Sequence, residues 1–299
     1  MNDRKKVELC HWVVAFVDLL GQGDKMREVS HLINSGQDDK AVEKMKDIYF
    51  DHKHFYEAFQ GTLIANQVGD VKPILPLPPS IPEKEYQAVF RRNLKMQVFS
   101  DAAMFYLPLT DNGENQPLFG INTLLSVLGV QMLSFLAQGR PFRCGVEVGF
   151  GLELEDGKLI GPAVQNAYEL ESKHAQYPRI VAGCGLVEYL QNIERIGMQK
   201  GTTIQNQASK SLARISRGWL KTDIDGETIL DYLGGEFLNR LPKEKVQPMV
   251  FAAYKFADEE QARFRAQKNG QLAVRYACLK TYLHPYLRAC DGDEGSPIS

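Results

Sequence analysis

The chain has no Cys-x-x-Cys pair. Its five cysteines, Cys10, Cys144, Cys184, Cys278 and Cys290, are odd in number and widely scattered. A disulfide framework or a zinc site is not expected, and a reducing cytoplasm fits best. Charge of one sign is also missing: 35 Lys and Arg stand against 37 Asp and Glu, a formal net charge of −2. That balance argues against a general nucleic-acid binder or a basic membrane-surface protein. There is no repeat, no low-complexity tract and no clean apolar leader, because the first apolar run is broken by Asp18. The apolar stretch 121–137 contains Asn122, Thr123, Ser126, Gln131 and Ser134, with no basic cluster before it. It reads as a buried or interface helix, not a membrane span. The six histidines show no metal-ligand or catalytic spacing, and no Ser-His-Asp order or P-loop is present.

What is present is an ordinary globular balance, 44% hydrophobic and 24% charged over 299 residues. Residues 12–20, WVVAFVDLL, are apolar and β-branched and predict a buried strand. Gly21 and Gly23 break it, and Asp24 is placed to cap a helix to Asn34. A second helix is expected over about 38–60. The segment 71–82 holds five prolines and predicts an extended arm, with helix resuming over 83–92. Residues 94–109 predict two short strands around a turn at Ser100-Asp101-Ala102. After the apolar helix come strands over 142–150 and 152–155, an Asp156-Gly157 turn and a third short strand. A helix over 163–173, a strand over 179–182, a helix over 186–193 and a hairpin turning at Asp225-Gly226 follow. Helical spacing fills 243–289. The order predicts an α+β fold: a ferredoxin-like βαββαβ plan with an antiparallel or mixed sheet and helices on one face. The expected division is a domain over 8–235, a helical extension over 236–290 and a flexible tail over 291–299.

Two acids stand out. Asp18 closes an apolar strand just before a glycine-bearing turn, and Asp101 sits at a hairpin tip between two apolar strands. A carboxylate in such a place is costly to bury without a partner. If the strands pair, both acids converge at one sheet edge, where two hard oxygen ligands suit Mg²⁺ or Mn²⁺. The backbone N–H groups from Gly21 to Gly23 lead into a helix start and suit phosphate. The bland alternative is a turn residue at Asp101 and a capping acid at Asp18.

Four segments in order resemble the class III nucleotide cyclases. Phe16-Val17-Asp18-Leu19 is similar to the family's F-x-D-I strand. Lys95 to Met104, KMQVFSDAAM, is similar to its K-x-x-x-x-G-D-x-x-M hairpin, with Ser100 in the glycine position. Arg143-Cys144-Gly145 resembles its R-x-G strand. Gly161 to Glu171, GPAVQNAYELE, resembles its G-x-x-V-N-x-A-x-R-L-E helix. Gln165 and Glu169 replace that helix's Asn and Arg, Lys158 replaces the adenine-reading acid, and the two metal acids lie about twice the usual distance apart. With these departures the chain resembles the Pycsar antiphage pyrimidine cyclases.

The resemblance implies attack of a ribose 3′-hydroxyl on the α-phosphorus of UTP, giving cyclic UMP and pyrophosphate, with two Mn²⁺ or Mg²⁺ ions per site. Asp18, Asp101 and the Leu19 carbonyl would be the ligands. Phe16, Leu20, Gly21, Tyr49, Lys95, Lys158 and Arg143 complete the substrate side. Lys95 and Lys158 are donors that suit uracil's carbonyls, or else solvated surface lysines. Tyr49 closes the pocket over a small base or packs in the core. Arg143 binds phosphate or pairs with Glu147 along its strand. Lys221 is a weak reach toward the triphosphate, and Arg179 a structural residue. A homodimer is implied, with the proline arm and the helix at 121–137 as contacts, and signalling to a separate cyclic-nucleotide-responsive effector. The alternatives are a cytidylate cyclase, and a catalytically silent nucleotide-binding homologue. A GGDEF-like or polymerase-palm enzyme shares the two-metal logic, but no GGDEF-type run occurs.

Overall fold

The computed structural model describes residues 10–67, 94–109, 117–155, 157–197, 203–239 and 241–288. The proline arm, the helix expected at 83–92, Asp156, Cys290 and the tail lie outside the described residues.

The first strand, β1 (Cys10–Leu19), is the centre of the molecule. It pairs antiparallel on one side with β3 (Ala102–Pro108) and on the other with β4 (Phe142–Glu153). Strand β2 (Lys95–Phe99) forms a hairpin with β3 at one edge, and β5 (Leu159–Ile160) pairs with the end of β4. Beyond β4 come β6 (Ile180–Ala182), parallel to it, then β8 (Thr228–Leu230) and β7 (Leu220–Thr222). The path is β2-β3-β1-β4-β6-β8-β7, a mixed open sheet. The expectation of separate strands over 142–150 and 152–155 is corrected: β4 is continuous. Gly151 lies inside it because its missing side chain admits the Trp12 indole, which donates to the Gly151 carbonyl at 3.1 Å.

Helices cover both faces, not one. On one face α1 (Gln22–Asn34) and α2 (Asp38–Gln67) precede α3 (Pro117–Ala137). Val13, Ala15 and Val17 of β1 point to this side, where Phe55, Phe59, Phe135 and Phe142 interlock. On the other face α4 (Pro162–Glu169) lies over Trp12, Val14, Met104 and Tyr106. A strand buried on both faces reads as an unbroken apolar run, which is why WVVAFV shows no alternation. Burying each such Val or Phe is worth roughly 1.5–3 kcal/mol. Gly145 lets α4 lie directly on the sheet: a Cβ there would stand 2.3 Å from the Ala167 carbonyl oxygen.

Helix α3 is long and apolar enough to cross a membrane, yet nearly all of it is buried in the chain's own core. It packs against α2 and two later helices, α6 (Thr203–Gly218) and α8 (Lys243–Ala266). Its expected role as a dimer contact is therefore corrected: the apolar surface is already used. Helix α5 (Cys184–Ile196) follows β6, and a short α7 (Gly235–Leu238) leads to α8, which pairs with α9 (Gly270–Arg288). The α8–α9 pair is the predicted helical extension. Arg179, buried at 1% exposure, binds Asp223 at 2.5 Å and Asp225 at 2.6 Å and anchors the β7–β8 hairpin. Its structural role stands as expected.

Candidate active site

The register of the sheet brings the two acids to one end of the β1 and β3 strands. Asp18 pairs with Ala102 of β3 and with Arg143 of β4. Asp101 occupies the β2–β3 turn, and its carbonyl accepts the Leu19 N–H at 3.0 Å. Both carboxylates thus stand within one residue of the same backbone bond. Ser100, before Asp101, has φ 39°, a left-handed conformation that favours glycine. The Tyr56 hydroxyl of α2 donates to the Ser100 carbonyl and holds the turn from the opposite side. Burial and the negative charge of Asp101 raise the Tyr56 phenol above its ordinary value. Ser100→Gly should relieve the φ strain and raise stability by about 1 kcal/mol in urea titrations; a loss of stability would contradict this.

Arg143 is the cation of the site. Its Nη2 lies 3.2 Å from Asp18 Oδ2 and 2.7 Å from Glu171 Oε1. The alternative pairing with Glu147 is corrected. Four residues of extended strand separate them, about 13 Å. The Glu147 carboxylate instead accepts the N–H groups of Val148 at 2.7 Å and Leu186 at 3.0 Å, so it anchors the start of α5.

Glu171 is the residue that sequence reasoning missed. It lies in a π-helical turn, Leu170–His174, that continues α4. Such turns are common at functional sites, and this one tucks a carboxylate, 2% exposed, against Arg143. Burial raises Glu171 to about 7, with Arg143 opposing and Asp18 and Asp101 adding to the rise. Burial likewise raises Asp18, opposed by Arg143 and reinforced by Asp101. Three acids therefore feel one another around a single guanidinium. Among the described residues no three His, Cys, Asp or Glu side chains form a ready metal cage. The arrangement suits an ion held by two acids, with other ligands supplied by backbone or substrate. Arg143, with a single positive charge, offsets only one of the two carboxylates Asp18 and Glu171 that it bridges.

The remaining predicted residues divide into groups. Phe16 stacks on Phe99 at 6.2 Å and meets Tyr168 edge-on at 5.3 Å, forming an aromatic patch beside Asp18. Leu20 and Gly21 follow directly; Gly21 has φ 85° and precedes α1 without a side-chain cap among the described residues. Asp24 is not the cap, as expected from sequence, but lies in the first turn, paired with Arg27. Lys95 pairs with Glu153, while exposed Lys158 follows Gly157, whose carbonyl accepts the Tyr106 hydroxyl. The two lysines thus share one end of β2, β3 and β4, away from Asp18. Tyr49 is 61% exposed and packs on Phe50 in a groove between α1 and α2, apart from the acids. Gln165 and Glu169 lie on the outer side of α4, with Glu169 paired to Lys173 at 3.2 Å. Lys221 is turned the other way, 3.0 Å from Asp231 and over the Tyr282 ring.

No protein-family model matches the chain, and no curated protein is significantly similar to it.

Proposed function

We propose that the chain is a metal-dependent nucleotide cyclase acting on a pyrimidine triphosphate, UTP before CTP. The observation that carries this reading is the convergence of Asp18 and Asp101 through the β1–β3 register, beside a partly buried Arg143. Divalent ions, when bound by Asp18, Asp101 and the Leu19 carbonyl, would supply the Lewis acidity for attack and leaving group. The 3′-oxygen forms the new bond to the α-phosphorus, its proton passes to solvent, and pyrophosphate leaves with the broken P–O pair. The chain's own residues position the reactants. The Gly21 turn opens backbone N–H groups at the start of α1 toward phosphate. Phe16 and Phe99 offer a flat apolar surface beside the acids, suited to a sugar or base.

A homodimer is part of the reading. Lys95 lies in register with Tyr106 and, through it, with Val14. Val14 is four residues from Asp18, about 13 Å along the same face. One chain therefore separates the base-reading lysines from the metal acids, and a second copy packed on this face would bring one chain's lysines over the other's acids. Donor-only lysines suit uracil's two carbonyls better than cytosine's carbonyl and amine, and better than adenine's amine. The cyclic product would then serve as a second messenger.

The test is one incubation of the chain, sized by sedimentation, with equal ATP, GTP, CTP and UTP and Mn²⁺, the products separated by chromatography. Cyclic UMP from a dimer is the expected result. Predominant cyclic CMP would overturn only the lysine argument. Cyclic AMP or cyclic GMP would defeat the pyrimidine reading, an active monomer the shared site, and no product with any nucleotide would leave a silent binding protein.

A further inference from the structure

A cavity of about 410 Å³ opens between the start of α1, the residues just before β4 and the α8–α9 pair. Its size falls within the roughly 300–1,000 Å³ of small-molecule sites. Most of its charges are already matched. Lys25 and Arg140 share Asp51, Lys44 pairs with Glu28 at 2.8 Å, and Arg263 pairs with Glu260. Arg275 of α9 is different. It donates only to Gln176 Oε1, at 3.4 Å, and meets no carboxylate among the described residues. Across the cavity Arg143 has a buried Nε with no hydrogen-bond partner among the described residues. Gln22, 4% exposed and in the first turn of α1, lines the same space, and its amide oxygen has no partner among the described residues. An amide is read as oxygen or nitrogen from its surroundings, so Gln22 can present its N–H₂ to an incoming acceptor.

We propose that this cavity is a polyphosphate site, with Arg275 as its principal cation and Arg143, Gln22 and the uncapped start of α1 as further donors. The cyclase reading gives the identity of the anion's carrier, a nucleotide triphosphate or its pyrophosphate product, and to that extent the proposal rests on it. Arg143 is already held by Asp18 and Glu171, so Arg275, which meets no carboxylate among the described residues, is the guanidinium that gains most from an incoming anion. Burial first, and then the charge of Arg143, hold Arg275 below the ordinary guanidinium value. The helical extension thereby becomes part of the site: it carries the one cation of the cavity that, among the described residues, has no acid of its own.

The experiment is calorimetric titration of sodium pyrophosphate into the full chain in EDTA, so that no metal contributes. Wild type should bind. Arg275→Gln should weaken binding about tenfold with an unchanged melting temperature. Arg275→Lys, which keeps charge but loses the fork, should fall between, and serves if the glutamine variant does not fold. Asp18→Asn, which removes a negative charge nearby, should bind at least as tightly as wild type. Equal affinity of Arg275→Gln and wild type, or no binding by wild type, overturns the proposal. Loss of binding in Arg275→Gln from a chain that makes no cyclic nucleotide keeps the anion site and sinks the cyclase. Cyclisation with pyrophosphate affinity indifferent to Arg275 does the reverse.

Discussion

Asp18→Asn and Asp101→Asn should each lower kcat/KM for nucleotide cyclisation by about a thousandfold or more while leaving the chain folded. A thousandfold corresponds to about 4 kcal/mol of transition-state stabilisation, within reach of losing a charged metal ligand. The fold should tolerate the change because each side chain stands at the end of a strand and not in the core. Asp18 is 25% exposed and Asp101 lies in a turn, so neither leaves a core cavity. Burial already disfavours the Asp18 carboxylate, so a neutral amide of the same shape should not lower apo stability. Turnover by either variant at the wild-type rate with saturating Mn²⁺ would remove the two-acid assignment. Loss of activity together with a large fall in melting temperature would show that the acid acts on the fold.

Stability of the metal-free protein should fall as pH rises from about 4.5 to about 7, and Glu171→Gln should remove most of that fall. The folded-state value of Glu171 is raised from 4.5 to about 7. A raised acid binds its proton more tightly in the native state than in the unfolded one. The native state therefore gains from protonation below the unfolded value, loses this advantage between the two values, and is flat above the upper one. The loss is on the order of 3 kcal/mol for Glu171, and the raised Asp18 carboxyl acts in the same direction. Urea midpoints at pH 5 and pH 8 test this: wild type should be the less stable at pH 8, and the glutamine variant nearly level. A wild-type midpoint that rises with pH across this window would mean that Glu171 is not desolvated as described. Added Mn²⁺ should restore stability at pH 8 far more than at pH 5, because only deprotonated acids bind it.

The parts of this molecule legible from sequence are those whose cause is local. Strand β1 is a β-branched run, the β2–β3 and β7–β8 turns carry Ser-Asp and Asp-Gly, and α3 is apolar all round. Asp18 and Asp101 were visible because an acid beside buried apolar residues is conspicuous. Glu171 was not, since its contact with Arg143 is made by a π-helical turn, and single-residue shifts in helix winding leave no trace in spacing. Helix α6 escaped because its buried side includes small residues, Ala208, Ser209 and Ala213, which give little hydrophobic contrast. Helices on both faces were not foreseen because the glycine that admits α4, Gly145, reads the same in a strand as in a turn. Arg275 could not be found at all: it stands 132 positions after Arg143, and only the packing of α8 and α9 brings them to one cavity.

The position of β1 bears on how the chain must be made. It is the first strand described and the central one, yet neither partner is a neighbour in sequence. Its nearest rung to β3 joins Asp18 to Ala102, and its outermost rung to β4 joins Cys10 to Gly151. At the usual ~5–20 residues per second of synthesis, several seconds pass before β3 emerges and still longer before β4 does. Through that interval WVVAFV has two open edges and no cover on either face, the exposure that invites pairing with a wrong chain. Folding must wait for long-range closure, so the chain should be a slow folder for its size. It should yield more soluble product where translation is fast relative to aggregation, or where a chaperone holds the first 150 residues.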